Sequence, residues 1–463
     1  MTAATGFPLA AYKDRRMLRI FLLGIMSGFP WVLIGTALTL WLKENAVSRS
    51  DIGWAGLIFS VYAFNYLWAP LIDKIRIPWL TERVGHRKAW ILVCQLFIAV
   101  ALTLWCLFDP SNQLKFVIAV GLIISVASAS QDITIDALRI EQIDAKETDS
   151  MAAGAAMAVI GWWTGFKAMG ALMLFVADKF EAAGYADVWP MTFVTLCGFI
   201  VLCSLLLLLV PEASSAARIA RQQADQAAIE AKLGDGHPRS RFVAWLASAV
   251  TGPLASFFKQ NGVAIAWSIL GFIFLFKIGE AFMGRMSLVF YQELGFSRTD
   301  IAIFSKTLGW ITTIVFTLLG SWFAIRAGVV KALFISGIAM ACTNLMFALL
   351  AQTGKNEWLF ALAVVVDDIA AAFATVAFVT FISLLVDRTY TATQYALLAS
   401  LGTLGKTLVS SSSGQAVDYL GGNWTLFFII TTLMVIPSLI LLWIIRHRLN
   451  LHEPGIRIGR KSA

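Results

Sequence analysis

Charged residues are scarce in this sequence. Asp, Glu, Lys and Arg make up only 14% of the 463 residues, well below the share of about a quarter that is typical of soluble domains. Hydrophobic residues make up 59% of the chain and fall in blocks of about 20 residues, the length that crosses about 30 Å of hydrocarbon. Because lipid offers the backbone no hydrogen-bonding partner, each block is expected to form a helix.

Motifs for catalysis and metal binding are also lacking. The five cysteines lie in or beside apolar blocks, with no CxxC motif and no Cys/His cluster, so we expect neither a metal site nor a disulfide framework. No GxSxG, HExxH or Walker motif occurs, so we expect no catalytic residues, no cofactor and no direct use of ATP. The net charge of +8 suits basic membrane-flanking loops better than nucleic-acid binding.

Twelve apolar segments are long enough to be membrane spans. The first is too long for the apolar part of a cleavable signal peptide and lacks a small-residue cleavage site at its end. The alternating pattern of a membrane β-strand is missing, so we predict an all-α membrane protein with twelve transmembrane helices. The predicted spans are 17–42, 52–74, 89–108, 114–138, 152–177, 189–210, 262–292, 301–324, 331–352, 357–386, 392–417 and 424–445.

Basic residues outside these spans are distributed unevenly between the two sides of the membrane. If both termini are cytoplasmic, about 25 Lys and Arg residues lie on the cytoplasmic side. On the other side are Lys43, Arg49, Lys115, Lys179, Arg298 and Lys355. Because cytoplasmic loops carry the excess of basic residues, we predict that both termini are cytoplasmic.

A short sequence repeat divides the chain into two related halves. SRSDI at 48–52, between the first two spans, recurs as SRTDI at 297–301, between spans seven and eight. The repeat indicates two bundles of six helices each, with the same order of spans. The predicted segments are an N-terminal bundle at 1–211, a cytoplasmic linker with an interfacial amphipathic helix at 212–260, a C-terminal bundle at 261–446 and a basic cytoplasmic tail at 447–463.

Polar residues recur on one face of the fourth predicted span. Ser125, Ser128, Asp132 and Asp136 follow one another at steps of three and four, and Gln131 precedes Asp132. A charge in mid-membrane costs about 3 kcal/mol, so these carboxylates must face the interior of the bundle. We predict that Asp132 carries protons and that Gln131 contacts substrate. A structural ion pair with a neighbouring helix is the alternative for Asp132.

Charges near the cytoplasmic ends of the spans form a second group. Asp136 lies three residues before Arg139, and Asp73 and Arg87 flank the loop between spans two and three. Their position at the span ends indicates a gate that closes the cytoplasmic side, rather than a site for substrate. We therefore predict a network of these four residues.

Lysines lie within three of the apolar spans. Lys167 and Lys406, in spans five and eleven, have no acidic residue within four positions, so each needs a partner from another helix or from an anionic substrate. In span seven, Lys277 and Glu280 share a helical face and can neutralise each other. We predict that all three lysines bind substrate and that Glu280 carries protons, with mutual neutralisation of Lys277 and Glu280 as the alternative.

Two further features within the spans involve an aromatic pair and an acidic pair. Trp163 lies four residues before Lys167 and can stack on a sugar ring in a polar cavity, with core packing as the alternative. Asp367 and Asp368 are adjacent in span ten, and their depth in the membrane does not follow from the sequence. A place at the outer mouth of a cavity is the role we consider for them.

Several segments resemble a known family of transporters. The loop after the second span reads PLID at 70–73 and GHRK at 85–88, which is similar to the loop motif of the major facilitator superfamily with an insertion. Within that superfamily the chain resembles the AmpG-type muropeptide permeases. The segments that carry this resemblance are GFP at 28–30, SASQDI at 128–133, KTLG at 306–309 and ATQYALL at 392–398.

This resemblance implies both a fold and a function. The implied fold is the major facilitator fold, with two pseudo-symmetric six-helix bundles. The implied function is proton-coupled import of GlcNAc-anhydroMurNAc, with or without a peptide, across the bacterial inner membrane for cell-wall recycling. An indirect role in β-lactamase induction and antibiotic resistance comes with it. The implied partners are the small glycopeptide, protons and membrane lipid, without nucleic acid, and we expect a monomer.

Two other functions stay open on the sequence alone. Related permeases of the broader group carry siderophores, so uptake of a siderophore or another anionic metabolite is the first. A non-transporting membrane sensor or scaffold is the second, but a scaffold has no need of costly charges within the membrane. Import by alternating access between the two bundles is therefore the function that we predict.

Overall fold

The structure is a computed structural model of the chain. It describes residues 9–47, 55–144, 146–185, 187–212, 252–296, 309–410 and 412–446, together with Ala224. Both copies of the sequence repeat lie largely outside the described residues, as do the basic tail and most of the predicted linker. Of that linker, residues 252–260 form a helix that continues to residue 261.

All regular secondary structure in the described residues is helical, and we number the main helices α1–α12. Among these residues, nine helices are long and apolar enough to cross a membrane. They are α1 Arg15–Leu42, α3 His86–Trp105, α4 Pro110–Glu141, α5 Thr148–Ala182, α6 Trp189–Leu208, α7 Val263–Tyr291, α9 Val329–Thr353, α10 Glu357–Leu385 and α12 Trp424–Ile445. The other three are α2 Ile58–Leu67, α8 Gly309–Ala327 and α11 Thr391–Ser410.

The three remaining helices differ from the predicted spans for local reasons. The helix α2 ends before Trp68, and a second short helix, Ala69–Lys74, follows with a proline in its first turn. Proline lacks the backbone N–H that would continue the first helix, so the predicted span is broken there. The predicted span 392–417 likewise ends at Ser410 in α11, and a separate short helix, Ser413–Tyr419, follows.

The helices pack in the same order in the two bundles. α1 packs against α5 and α3 against α4, as α7 packs against α11 and α9 against α10. Glycines bring the first of these pairs close together. A Cβ atom added at Gly161 would lie 2.4 Å from the carbonyl oxygen of Phe21, and one added at Gly405 would lie 2.3 Å from that of Phe274. Small residues at helix contacts are typical of membrane bundles.

Irregular turns interrupt three helices in mid-span. A π-helical turn occupies Val32–Ala37 in α1, and another occupies Thr164–Ala168 in α5. The helix α7 is broken at residues 276–277, between Val263–Leu275 and Ile278–Glu293. Such turns are often found at functional sites because they redirect side chains out of the regular helical pattern. Here Lys167 lies in the second π turn and Lys277 lies in the break.

Candidate functional site

A cavity of about 830 Å³ lies between the two bundles. One wall comes from α5 of the N-terminal bundle, and α7, α8, α10 and α11 of the C-terminal bundle form the others. Its volume lies within the range of small-molecule sites in proteins, about 300–1,000 Å³. Four of the predicted site residues line it together: Trp163, Lys167, Glu280 and Lys406.

The charges around this cavity balance. Five charged side chains line the wall, and Lys277 contacts the lining through Glu280 and Thr375. Together they supply three positive and three negative formal charges. The six residues are Lys167, Lys277, Lys406, Glu280, Asp367 and Asp368.

Lys277 and Glu280 form the ion pair that the sequence offered as an alternative to substrate binding. Nζ of Lys277 lies 3.1 Å from Oε2 of Glu280, and it also donates a hydrogen bond of 2.7 Å to Oγ1 of Thr375. The side chain of Glu280 is 27% exposed. Glu280 therefore faces the cavity while it neutralises Lys277, and its predicted function in carrying protons stays a prediction.

Lys167 extends into the cavity from the π turn of α5. Its ammonium nitrogen lies 4.6 Å from the ring centroid of Trp163, a cation–π contact. It also interacts electrostatically with Asp368 of α10, across the boundary between the bundles. The partner of Lys167 thus comes from another helix, which is one of the two possibilities that its sequence environment left open.

Lys406 differs from the other two lysines. Within the described part of the chain it forms neither a hydrogen bond nor an ion pair, although it interacts electrostatically with Lys277 and Glu280. An ammonium group that is largely withdrawn from water gains most from an anionic partner. The position of Lys406 is therefore suited to an anionic ligand.

Asp367 and Asp368 are the cavity residues whose position the sequence did not settle. They belong to the lining itself, and each has a threonine partner on a different helix. Oγ1 of Thr343 in α9 donates to Asp367 at 2.8 Å, and Oγ1 of Thr312 in α8 donates to Asp368 at 3.2 Å. Successive residues of a helix point about 100° apart, so the two carboxylates reach different neighbours. The only signal in the sequence was two charges in an apolar span.

The carboxylates of the cavity do not form a metal centre. Among the residues that the structure describes, no group of three or more His, Cys, Asp or Glu side chains is arranged to hold a metal ion. What the cavity offers a ligand is ammonium and carboxylate groups, hydroxyl groups and the aromatic ring of Trp163.

Asp132 and Gln131 lie elsewhere, inside the N-terminal bundle. Asp132 accepts a hydrogen bond of 2.7 Å from Oγ of Ser27 in α1. Nε2 of Gln131 donates at 2.7 Å to the carbonyl oxygen of Met26, also in α1. In this conformation neither residue is part of the described lining of the large cavity, and their functions in proton coupling and substrate contact stay predictions.

Asp73 and Arg87, two of the four predicted gate residues, are buried together at the end of the molecule that is predicted to be cytoplasmic. Their side chains are 1% and 0% exposed, and Nη2 of Arg87 lies 2.7 Å from Oδ1 of Asp73 and 2.8 Å from Glu141. Asp73 also accepts hydrogen bonds from the backbone N–H and the hydroxyl of Thr393, at 2.7 and 2.6 Å. Because Thr393 belongs to α11, this contact joins the two bundles.

Asp136 and Arg139 form a second contact at the same end. Arg139 lies 3.1 Å from Asp136 and donates a hydrogen bond of 3.0 Å to Ser383 in α10. Arg388, which follows α10, donates to the carbonyl oxygens of Ile140 and Ile143. We use the name gate network for these inter-bundle contacts together with those of Asp73 and Arg87.

A smaller cavity of about 140 Å³ lies between the gate network and the large cavity. Asp136, Arg139 and Ser27 line it, and Val159 lines both cavities. Through Ser27, the smaller cavity reaches the hydrogen-bond partner of Asp132. In this structure the bundles are therefore joined at the gate end, and the large cavity lies beyond the gate.

An ion pair outside the spans holds the start of α5 at the gate end. Arg16 lies 2.7 Å from Glu147. The hydrogen bond from Arg16 lowers the pKa of the Glu147 carboxyl below its usual value, although partial burial opposes this effect. Since the side chain of Glu147 is 38% exposed, solvent screens the pair strongly.

Comparison with known proteins identifies the class to which this arrangement belongs. A family model described as Major Facilitator Superfamily matches residues 20–305. The chain belongs to the major facilitator superfamily, and within it to the AmpG-type permeases, as its motifs predicted. It is 32% identical over 439 residues to a transporter named AmpG 4 from Rickettsia conorii, covering 95% of this chain and 98% of the relative.

A second relative and two solved structures agree with this membership. The chain is 30% identical over 443 residues to the anhydromuropeptide permease of Escherichia coli K12, covering 96% of this chain and 82% of that protein. The proton:xylose symporter XylE, bound to 6-bromo-6-deoxy-D-glucose, has a TM-score of 0.62 at 16% identity, covering 92% and 94% of the two chains. FucP in the outward conformation has a TM-score of 0.63 at 15% identity, covering 94% and 100%. These structures share the fold, and the chain is a multi-pass membrane transporter rather than an enzyme.

Proposed function

We propose that this protein imports GlcNAc-anhydroMurNAc, with or without a peptide, across the bacterial inner membrane. The observation that carries the proposal is a large inter-bundle cavity with charges of both signs and an exposed aromatic ring, in a relative of an anhydromuropeptide permease. Such a substrate combines sugar rings with carboxylates. Trp163 suits a sugar ring, and Lys167 and Lys406 suit carboxylates.

Transport proceeds by alternating access. With the gate network intact, the substrate enters the large cavity from the side away from the gate. Release requires the contacts of Asp73 with Thr393 and of Arg139 with Ser383 to break, so that the bundles separate at the cytoplasmic end. Rigid-body rocking of two bundles around a central site is the general mode of transporters built from repeats.

Protons drive accumulation in this proposal. Glu280 lies in the large cavity, and Asp132 is linked through Ser27 to the smaller cavity near the gate. A carboxylate on either side of Val159 could therefore receive a proton at a different stage of the cycle. The membrane potential supplies about 2.3 kcal/mol per proton per 100 mV. Cytoplasmic termini, a monomeric state and an indirect effect on β-lactamase induction belong to the same proposal.

The test is uptake into inverted-free, right-side-out membrane vesicles that contain the protein. Radiolabelled muropeptide and a ferric siderophore are supplied in parallel, with and without a protonophore. We expect muropeptide to accumulate only in energised vesicles and the siderophore not to accumulate. Siderophore uptake without muropeptide uptake would contradict the proposed substrate, and muropeptide accumulation that survives the protonophore would contradict the proton coupling.

A further inference from the structure

The charges of the large cavity are paired unequally. Lys277 and Glu280 are in direct contact within α7, at 3.1 Å. Lys167 and Asp368 interact across the boundary between the bundles, from α5 to α10. The second pair is the one that links the two moving parts of the protein through the cavity itself.

We propose that Asp368 is the resident counter-ion of Lys167, and that a carboxylate of the substrate takes its place while Asp368 binds a proton. This inference rests on the proposed function and names the residue that couples substrate to proton. The exchange balances: the substrate carboxylate forms an ion pair with the Lys167 ammonium, and the displaced carboxylate takes one proton from the water of the cavity to become a neutral carboxylic acid.

The charge balance of the cavity supports this exchange. The six formal charges cancel, so an added carboxylate leaves one negative charge in excess in a site withdrawn from water. An uncompensated charge in such a site is costly unless it is paired or neutralised. One bound proton for each displaced carboxylate restores the balance.

The neighbours of Asp368 indicate that it is the group that takes the proton. Without Lys167, an ionised Asp368 would face Asp367 on its own helix and Glu280 on α7. Like charges repel in a low-dielectric site. Thr312 of α8 donates its only hydroxyl proton to Asp368 already, at 3.2 Å.

The remaining titratable groups around Asp368 are occupied elsewhere or interact with other partners. Lys277 is held by Glu280 and Thr375. Lys406 of α11 interacts electrostatically with Lys277 and Glu280. Tyr291 of α7 interacts with both Asp367 and Asp368 and is deeply buried.

The position of the pair also explains how binding reaches the bundles. In the empty protein, Asp368 attracts Lys167 from one bundle to the other. In the loaded protein, the substrate bridges them instead and Asp368 is neutral. Because the cavity lies beyond the closed gate, substrate and proton enter from the same side, which is the requirement for symport.

The first experiment measures protons taken up on binding by the purified, full-length protein in detergent, with a pH-sensitive dye and GlcNAc-anhydroMurNAc-peptide as ligand. We expect uptake of about one proton per bound substrate in the parent protein, so that affinity falls as pH rises by up to about tenfold per unit. Asp368→Asn should abolish this proton uptake. It should also bind more tightly than the parent at pH 8, because its Lys167 no longer has a competing anion.

The matched control is Asp178→Asn, which alters an exposed carboxylate at the outer end of α5 and should behave like the parent. Proton uptake that is unchanged in Asp368→Asn would overturn the inference. Weaker binding at pH 8 in this variant would also overturn it, because that result would assign Asp368 to holding the cavity together or to contacting substrate directly.

A second experiment needs no substrate and therefore separates this inference from the proposed function. Lys167→Gln removes the cation as a substrate carboxylate would, so infrared difference spectra at neutral pH should gain the carbonyl band of a protonated carboxylic acid. The band should be missing in Lys167→Arg and in the double variant Lys167→Gln with Asp368→Asn. Failure of muropeptide to bind the parent protein would contradict the proposed function, whereas a Lys167→Gln spectrum without this band would contradict the exchange.

Discussion

The gate network and the large cavity use the same kinds of residue in different surroundings. At the gate, Arg87 and Asp73 are almost fully buried, lie 2.7 Å apart and have further partners in Glu141 and Thr393. In the cavity, Glu280 remains 27% exposed, and Lys406 has no ion pair within the described residues. Charges with filled hydrogen-bonding capacity hold two parts together, whereas charges with spare capacity can receive a ligand.

This comparison also separates stability from function. A buried ion pair adds little net stability, but removal of one partner leaves an uncompensated charge that is strongly destabilising. A half-exposed charge in a water-filled cavity can lose its partner at little cost to folding. Substitutions at the gate should therefore damage the protein itself, and substitutions in the cavity should damage what it binds.

The largest expected effect is that of Arg87→Ala. The substitution leaves Asp73 and Glu141 without their shared cation at a buried site, so we expect a loss of about 3–5 kcal/mol of stability. The measurement is the midpoint of thermal unfolding in detergent, with Arg83→Ala as the control. Arg83 lies over the exposed ring of Trp79, and its loss should cost under about 1 kcal/mol. Equal midpoints for the two variants would show that the gate pair is not a buried network.

Lys406→Ala should give the next largest effect, on binding rather than on stability. One charge-assisted hydrogen bond to a substrate carboxylate is worth about 1.5–3 kcal/mol, which corresponds to a loss of about 10–150-fold in affinity. Equilibrium binding of radiolabelled muropeptide checks this value, with Lys355→Ala in an exposed loop as the control. An affinity within twofold of the parent protein would exclude Lys406 from the substrate site.

Asp73→Asn should have a smaller effect, confined to turnover. Asparagine keeps an oxygen that can accept from Thr393, and Glu141 still pairs with Arg87. The gate therefore still closes, but its balance between open and closed states changes, and such conformational steps often set turnover rates. We expect slower uptake in vesicles with affinity in detergent within about twofold of the parent. A large loss of affinity would instead place Asp73 in contact with substrate.

The smallest expected effect is a pH dependence at the surface of the gate end. Arg16 lowers the pKa of Glu147 in the folded protein, so the pair adds stability above the unfolded pKa of glutamate, about 4.3. That stability is lost as pH falls through the lower folded pKa. Because Glu147 is 38% exposed, we expect at most about 0.5 kcal/mol.

The measurement compares Glu147→Gln with the parent protein at pH 7 and at pH 3. The substitution should lower the unfolding midpoint slightly at pH 7 and leave it unchanged at pH 3, where the carboxyl is protonated in both states. A difference that grows as the pH falls would contradict the assigned sign.

The sequence predicted the fold because hydrophobic length is a strong signal in lipid. Nine of the predicted spans correspond to helices that are long and apolar enough to cross a membrane among the described residues, and the fold class is confirmed by the family. The exceptions arise where other rules act locally. Pro70 lies in the first turn of the short helix that follows α2, a break that hydrophobicity alone does not reveal.

The candidate site was only partly predictable, because sequence gives the face of a helix but not the neighbour of that face. The polar face of α4 was correctly expected to point away from lipid. Its serines, however, bond to α2: Ser125 donates to the carbonyl oxygen of Ile58, and Ser128 accepts from Tyr62. In the same way, Asp368 could not be linked with Lys167, because the two lie about two hundred residues apart in different bundles.

The central claim is that the gate end must open while the cavity alone binds substrate. Ser321 of α8 donates to the carbonyl oxygen of Ala152 in α5, at 2.9 Å, so these positions bring the two bundles into contact at the gate end. The decisive measurement uses Ala152→Cys with Ser321→Cys, after replacement of the five native cysteines, and compares binding and uptake before and after oxidation. We predict that the disulfide leaves muropeptide affinity unchanged, abolishes uptake and releases it again on reduction. Continued uptake in fully cross-linked protein would contradict the account.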